Sequence, residues 1–396
     1  MSRNNPIRGA KRRDLARVIP TMTENDAERY FSEIKFGSVD QQVCPRCGTV
    51  AHHYRIPNRR QWRCRFLECT HTFSVVSGTR FDSSRLTNKQ RIELLARFEA
   101  APKGRTLADI SGLVCVTEKC AHQNQMKIRE AIMEKLEQEP LRGVVHMDGA
   151  WVCGKFRRSA RWAKLPKAGH VLARHGTAEV KRRLPKINKT SKANLLRAEN
   201  KRVMLAMVQV DPLNGGPERI IVAMCRSENS RDVVELARRH IKPGSTIMTD
   251  EHPAYIDLGA DYLHCVVNHS EEYSTVEGVN ENMAESFFSR VRRGEYGVHH
   301  GYRPRYMQLY AAEYAWRETR RRRPQSENVA ELARWMLGPG YSKRWRGYHG
   351  GIKRRQRRDP RLEILVGSPQ EPWQDARSKG CNSRGHAPGP ACPPKP

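Results

Sequence analysis

Long apolar runs are missing from this sequence of 396 residues, and acidic residues are scarce in it. No stretch of 18 or more apolar residues occurs, so we expect no transmembrane helix. The first residues carry charge but no apolar segment, and we therefore expect no signal peptide. The eleven cysteines show no obvious disulfide framework, which favours a reducing, cytoplasmic location.

Lysine and arginine number 72 against 42 aspartates and glutamates, which gives a formal net charge of +30. An excess of this size predicts a polyanionic partner and favours nucleic acid phosphate. An anionic membrane surface is the competing interpretation. It is disfavoured because no long amphipathic basic helix stands out, and we expect no membrane partner.

Four cysteines are spaced like metal ligands, in two pairs. They are Cys44, Cys47, Cys64 and Cys69. The first pair lies in the knuckle CPRCG, and two knuckles brought together close a tetrahedral zinc site. The gap between the pairs suits a zinc ribbon in residues 41–80, with His53–Ile56 and Gln61–Cys64 as a hairpin. One structural Zn²⁺ would stabilise a module too small to fold by hydrophobic burial alone.

The second cysteine pair is spaced C-x4-C, which is wider than the first pair. This wider spacing leaves His71 as an alternative to Cys69 for the fourth ligand. The ribbon itself is predicted with either residue.

Helical patterns flank the ribbon on both sides. Residues 1–40 are predicted to form a basic arm followed by a helix, and residues 81–138 have helix-turn-helix proportions. In the second region Gly112 is the predicted turn and Thr117 caps the second helix. The predicted buried face of the first helix consists of Leu107, Ile110 and Leu113. Such modules place their second helix in the major groove, so this region is predicted to bind DNA, with an ordinary helical pair as the alternative.

Residues 139–323 begin with an antiparallel meander and continue as alternating strands and helices. The predicted strands are residues 144–153, 203–210, 219–225, 244–250 and 262–268. This order predicts an α/β fold, with helices on the faces of a mixed sheet.

Three carboxylates in this region are candidates for a metal site. Asp148 lies in the middle of an apolar strand, where a charge is costly unless a cation compensates it. Asp250 ends a second strand, and Glu285 lies on a helix predicted to dock through its apolar residues. Those docking residues are Val279, Met283, Phe287 and Val291. Oxygen ligands suit two Mg²⁺ or Mn²⁺ ions, which would activate a nucleophile and stabilise the leaving oxygen of a phosphoryl transfer.

Two segments concentrate the basic charge. The insert 154–202 has sixteen lysines and arginines against two glutamates, and it is expected to order on DNA or to stay a loop. Residues 324–396 are predicted to be a basic, largely disordered tail containing one helix. Between the two lie Glu313, Arg317 and Arg320 at helical spacing, which suits either an ion pair or a DNA contact.

The sequence resembles the prokaryotic ISXO-like insertion-sequence transposases, which join a zinc ribbon and a helix-turn-helix to an RNase H-like DDE domain. The matching segments are CPRCG with FSVVSGTRF, HMDGAWVCGK, IMTDEHPAY, VNHSEEY, VNENMAESFFSRVRRGEYGVHHG and YAAEYAWRETRR. The resemblance covers most of residues 25–325, in the order of the family. It differs at Gly149, where an acidic residue often follows the first aspartate, and at Arg292, where a lysine is frequent.

This resemblance implies that Asp148, Asp250 and Glu285 are the catalytic metal ligands. It also implies supporting or DNA-contacting roles for a further set of residues. These are His269, Asn280, Arg292, Glu313, Arg317 and Arg320. The implied function is a transposase that binds inverted terminal repeats and joins DNA ends to target DNA as a homo-oligomer. The alternatives are a DNA-binding regulator with an inactive catalytic domain and a nuclease that cuts without joining.

Overall fold

A computed structural model of the chain describes six stretches of sequence, which are residues 15–153, 201–213, 215–225, 228–267, 282–303 and 306–347. The chain divides into two compact units. The first comprises residues 1–139 and 312–359, and the second comprises residues 140–311 and 360–396. Within the described stretches, no helix combines the length and apolarity needed to cross a membrane.

The first unit is helical apart from the ribbon. Its helices are α1 (Leu15–Thr21), α2 (Glu24–Phe36), α3 (Asn88–Glu99), α4 (Leu107–Val114) and α5 (Glu118–Leu136). Local sequence fixes where several of them begin, because α2 and α3 each start with a complete capping box. In α2, for example, the Thr23 side chain and Asp26 satisfy each other's backbone amides, which stabilises a helix by about 0.5–2 kcal/mol.

The ribbon inserts between α2 and α3 and consists of short antiparallel strands. They are β1 (Gln42–Val43), β2 (Val50–Ala51), β3 (Tyr54–Ile56), β4 (Gln61–Arg63) and β5 (Thr72–Phe73). Strand β1 pairs with β2, and β4 pairs with both β3 and β5. The predicted hairpin is therefore present, within one residue at each end.

The helical pair α4–α5 is present, but it differs from the prediction in two ways. Gly112 lies inside α4, and the turn is made by Cys115 in the left-handed conformation (φ 55°). Leu113 is 40% exposed, while Ile110 and Val114 take the buried positions. The predicted face was wrong at Leu113 because α4 continues past the glycine.

The middle of helix α5 is covered, and its ends are exposed. Every residue from 124 to 133 is buried, and exposure is limited to the ends of the helix, such as Glu118 and Lys119. A helix that enters the major groove must present a free face. The exposed N-terminal end of α5 is the part of such a helix that contacts base edges, so DNA binding by this pair stays a prediction.

A buried ion network connects α5 with α8 (Met307–Arg320). Glu313 is fully buried and accepts hydrogen bonds from Arg129 Nε at 2.6 Å and from Arg317 Nη2 at 2.7 Å. Arg317 also donates to the backbone oxygens of Phe98 and Glu99. Of the two sequence interpretations of Glu313 and Arg317, this geometry supports the ion pair, because neither side chain reaches the surface.

The C-terminal part of the described chain belongs to the first unit and is ordered. Helix α9 (Gln325–Leu337) packs against α2, α3 and α5. Arg320, on α8, pairs with Glu331 of α9 at 3.1 Å. Further along, Trp345 is buried. The one helix that was predicted within residues 324–396 is therefore present, and the tail beyond residue 347 lies outside the described residues.

The second unit is built on a five-stranded mixed sheet. Its strands are β6 (Val144–Cys153), β7 (Lys201–Val210), β8 (Pro217–Cys225), β9 (Thr246–Asp250) and β10 (Leu263–Val267). They lie in the order β10-β9-β6-β7-β8. Strands β6, β7 and β8 are antiparallel neighbours, while β9 and β10 run parallel to β6. This is the RNase H-like mixed α/β fold that the sequence predicts.

Successive side chains point to opposite sides of each strand, so the sheet has two distinct faces. One face, with Val145 and Met147, packs on α6 (Ser230–His240) and on the 3₁₀ helix Pro253–Ala260. Helix α7 (Asn282–Gly294) packs on β6 and β7. Successive side chains of a strand point to opposite faces, so His146, Asp148 and Ala150 lie on the face opposite the α6 core.

Replacing Glu313 with alanine is expected to lower the free energy of unfolding of the first unit by about 3–5 kcal/mol. The reason is that Arg129 and Arg317 would stay buried without their carboxylate. Urea unfolding followed by tryptophan fluorescence measures the change, since Trp316 and Trp345 lie in this unit.

The control is Glu93→Ala, which removes a partly exposed partner of Arg97 within α3. Such pairs contribute about 0–1 kcal/mol. Equal losses in the two variants would contradict the assignment of Glu313 as the centre of a buried network.

Candidate metal centres

The four predicted cysteines converge in the ribbon. Their Sγ atoms all lie within 4.8 Å of one another. Cys44 Sγ is 3.8 Å from Cys69 Sγ, and Cys47 Sγ is 3.6 Å from Cys64 Sγ. Four sulfurs bound tetrahedrally to zinc at about 2.3 Å lie about 3.8 Å apart, so the site has the dimensions of a Cys₄ zinc site.

Backbone hydrogen bonds hold both knuckles in shape. In the first, Cys44 donates to Thr49 O and Gly48 donates to Cys44 O, with Gly48 at a positive φ of 75° that glycine adopts at no steric cost. In the second, Cys69 donates to the backbone oxygen of Phe66. The wider spacing of the second knuckle is thus accommodated in the loop between Cys64 and Cys69.

The thiols differ in how easily they ionise. Hydrogen bonds from the side chain and amide of Thr49 lower the pKa of Cys47 to about 6. Burial raises the pKa of Cys64 to about 12. A cation bound among them would favour the thiolate form of both, because zinc binds thiolates and not thiols.

His71 lies outside the cysteine group. Its ring stacks on Phe73 with an interplanar angle of 12° and a centroid distance of 6.3 Å. Among the described residues, the only group of three or more cysteine, histidine or carboxylate side chains close enough to share an ion is the four cysteines. The geometry therefore favours Cys69 over His71 as the fourth ligand, which the sequence had left open.

In the second unit, two predicted aspartates lie at the same end of two neighbouring parallel strands. The parallel ladder between β6 and β9 pairs Val144 with Thr246 and His146 with Met248. The ladder ends at this last pair, and Asp148 and Asp250 each follow it by two residues. Side chains in register on parallel strands point to the same face, so both carboxylates lie on the face opposite the α6 core.

Backbone amides orient both aspartates. The amide of Gly149 donates to Asp148 Oδ1 at 2.6 Å, and the amide of His252 donates to Asp250 Oδ1 at 3.1 Å. Two carboxylates on adjacent strands repel each other, and a divalent cation between them would offset the repulsion. The donor set, made of carboxylate oxygens, suits Mg²⁺ or Mn²⁺.

Glu285 lies in the first turn of α7 and is exposed. The apolar face of this helix is buried at Ala284, Phe287, Phe288 and Val291. Glu285 therefore lies at the flank of the docked face, as predicted. The three carboxylates are not among the described groups whose ligand atoms lie close enough to share one ion.

The other predicted site residues are dispersed. Arg292 is exposed near the end of α7. Glu313 and Arg317 lie in the buried network of the first unit, and Arg320 pairs with Glu331. His269 and Asn280 fall outside the described residues, as do the predicted docking residue Val279 and nearly all of the basic insert.

Two residues outside the sequence-based prediction, Glu228 and Tyr255, contact each other beside Gly149. The Tyr255 hydroxyl donates to Glu228 Oε1 at 2.5 Å. Burial and then Glu228, with smaller effects of Asp148 and Asp250, raise the pKa of Tyr255, so the hydroxyl remains a donor at neutral pH. Tyr255 lies within the segment IMTDEHPAY, but no pattern in the sequence marks Glu228.

Cys69→Ala is expected to lose bound zinc, whereas His71→Ala is expected to retain about one zinc per chain. The reason is that only the Cys69 sulfur lies with the other three. Metal analysis of the purified full-length variants measures the ratio. Loss of zinc from His71→Ala with retention in Cys69→Ala would contradict the Cys₄ assignment.

Family comparisons match both units. The transposase zinc-ribbon domain matches residues 22–72, which contain all four cysteines. The ISXO2-like transposase domain matches residues 140–319, which contain the whole mixed sheet and helix α7. No curated protein and no solved structure gives a match. The chain therefore carries a transposase zinc-ribbon domain followed by an ISXO2-like transposase domain.

Proposed function

We propose that this protein is a DNA transposase of an insertion sequence, which binds terminal inverted repeats, cleaves DNA ends and joins a 3′-hydroxyl to target DNA. The observation that carries the proposal is the parallel register of β6 and β9, because Asp148 and Asp250 each follow its last pair by two residues within the transposase domain. Asp148, Asp250 and Glu285 would hold two divalent cations. Bound there, the ions supply activation of the attacking oxygen and stabilisation of the leaving oxygen at phosphorus.

Each of the three residues has a distinct task in this proposal. Asp148 and Asp250 lie on rigid strands, so their main chains are fixed by sheet hydrogen bonds before DNA binds. Glu285 is exposed in the first turn of α7, and in this proposal it joins the two aspartates when DNA and cations bind. Because the three carboxylates repel one another, they would come together only when the cations are bound.

DNA as the partner accounts for the charge of the chain. The net charge of +30 would favour binding to phosphates through counterion release, so end binding should weaken steeply with salt. The basic insert 154–202 and the eight lysines and arginines of residues 341–358 would follow the DNA backbone. A homo-oligomer would bring two transposon ends together.

The ribbon supplies a surface suited to base contacts. Tyr54, Phe66 and Leu67 are 55%, 46% and 88% exposed, which is unusual for large apolar side chains on one small module. The guanidinium of Arg65 lies over the Tyr54 ring at 5.1 Å. Apolar side chains beside arginines are typical of surfaces that contact bases through a groove. We therefore assign this surface to end binding.

Asp148→Ala is expected to bind end DNA normally but to cleave and join it at least about 10³-fold more slowly. Removing a ligand from a two-metal site forfeits several kcal/mol of transition-state stabilisation. The measurement uses purified full-length protein, Mg²⁺ and labelled end DNA, with products resolved by length.

Glu235→Ala is the matched control, because it removes an exposed carboxylate from α6 of the same unit. Strand joining by Asp148→Ala would refute the catalytic assignment. Metal-dependent cutting by the wild type without joined products would identify a nuclease, and end binding without any chemistry would identify a regulator.

A Phe66→Ser, Leu67→Ser double variant is expected to bind end DNA about tenfold more weakly at constant salt, while its zinc content is unchanged. This corresponds to about 1.4 kcal/mol, which lies within the range for losing one stacked base. Leu213→Ser controls for surface polarity, because Leu213 is an equally exposed leucine, at 91%, in the second unit. Unchanged affinity in the double variant would exclude the ribbon surface from end binding.

A further inference from the structure

A carboxylate packs directly against the Cα atom of Gly149, the residue that follows Asp148. A Cβ atom built on Gly149 would lie 2.6 Å from Glu228 Cδ and 3.0 Å from Glu228 Oε2. Carbon atoms in favourable contact lie about 3.5–4.0 Å apart, so any side chain at this position would displace Glu228. Glu228 can therefore occupy its position only because residue 149 is a glycine.

Glu228 is anchored on its other side by a buried donor. Tyr255 is 1% exposed and belongs to the hydrophobic cluster on the α6 face of the sheet. Its hydroxyl donates to Glu228 Oε1 at 2.5 Å. This short hydrogen bond from a buried donor holds the carboxylate in place.

The position of Glu228 also relates it to Asp148. Gly149 lies on the same face of β6 as Val145 and Met147, so the Cα hydrogen that takes the place of a side chain points to the α6 side. The Asp148 side chain points to the opposite side. The amide of the same glycine donates to Asp148 Oδ1 at 2.6 Å. Glu228 therefore contacts Gly149 on the α6 side, and the amide of Gly149 orients the Asp148 carboxylate on the opposite side.

The paired ladder of β6 and β9 ends just before the aspartates. The last paired residues are His146 and Met248, so backbone pairing to β9 no longer fixes β6 at Asp148 and Gly149. On its other side β6 is still paired with β7 through Gly149 and Leu205. A contact from the α6 side would replace the missing restraint at this point.

We propose that Glu228 is a positioning residue for the transposase reaction: its carboxylate, anchored by Tyr255, fixes Gly149 and thereby aims Asp148 at the cation site beside Asp250. This inference rests on the proposed function for its role in catalysis. The inference also predicts the orientation of Asp148, which can be tested through cation binding without catalysis.

The test compares Glu228→Ala with Glu228→Gln in the full-length protein, by Mn²⁺ titration and by single-turnover cleavage of end DNA. Glu228→Ala is expected to weaken Mn²⁺ binding and to slow cleavage by about 10–100-fold, the range seen when partners of metal ligands are lost. End-DNA affinity should stay unchanged. Glu228→Gln keeps the shape and the acceptor for Tyr255, and it should retain both properties within about threefold.

A double-mutant cycle separates positioning from packing. Gly149→Ala displaces Glu228 and should slow cleavage by a similar factor to Glu228→Ala. The double variant Gly149→Ala, Glu228→Ala should be no worse than Glu228→Ala alone, because both changes disturb the same contact. If the cleavage rate of the double variant falls by the product of the two single-variant factors, the inference is wrong.

Two further outcomes decide between this inference and the proposed function. If the wild type binds Mn²⁺ but shows no DNA chemistry, the proposed function fails, whereas weakened Mn²⁺ binding in Glu228→Ala alone still supports positioning. If Glu228→Ala leaves Mn²⁺ affinity and cleavage at wild-type values, or if Glu228→Gln loses as much as Glu228→Ala, the inference is wrong.

Discussion

The parallel pairing of β6 with β9 is the constraint on which the candidate active centre depends. Residues 144–146 and 246–248 form only three ladder pairs, yet they fix the register of two strands whose aspartates are 102 residues apart in sequence. A slip of one residue would move one aspartate to the opposite face of the sheet. Apolar residues on the α6 face, such as Val145 and Ile247, prevent that slip because they would leave the core.

The same arrangement creates an electrostatic problem that the surroundings reduce only in part. Asp148 and Asp250 repel each other, and Glu228 adds a third carboxylate on the other side of the β6 backbone. Hydrogen bonds from the Gly149 and His252 amides and from the Tyr255 hydroxyl stabilise these charges individually. A divalent cation bound on this face would offset the repulsion between the two aspartates.

The sequence predicted the elements of the second unit well because their patterns are local. All five strands were predicted at their observed places within about two residues, and the ribbon cysteines were identified by spacing alone. The errors concern burial by distant parts of the chain. Helix α5 has polar residues such as Lys127 and Arg129, which suggest an exposed face, but both are buried within the first unit. The Arg129 charge is compensated by Glu313, which lies 184 residues away in sequence.

The sequence by itself determined the ribbon cysteines and indicated the candidate carboxylates: two cysteine pairs at ribbon spacing, two aspartates at strand positions and one glutamate on an amphipathic helix. These follow from residue type and period, which act over a few neighbours. Only the tertiary structure decided that Cys69 and not His71 joins the sulfur cluster, that Glu313 and Arg317 are interior ions, and that Glu228 lies against Gly149. These outcomes depend on which side chains from distant segments pack against one another. Local sequence patterns contain no information about such contacts.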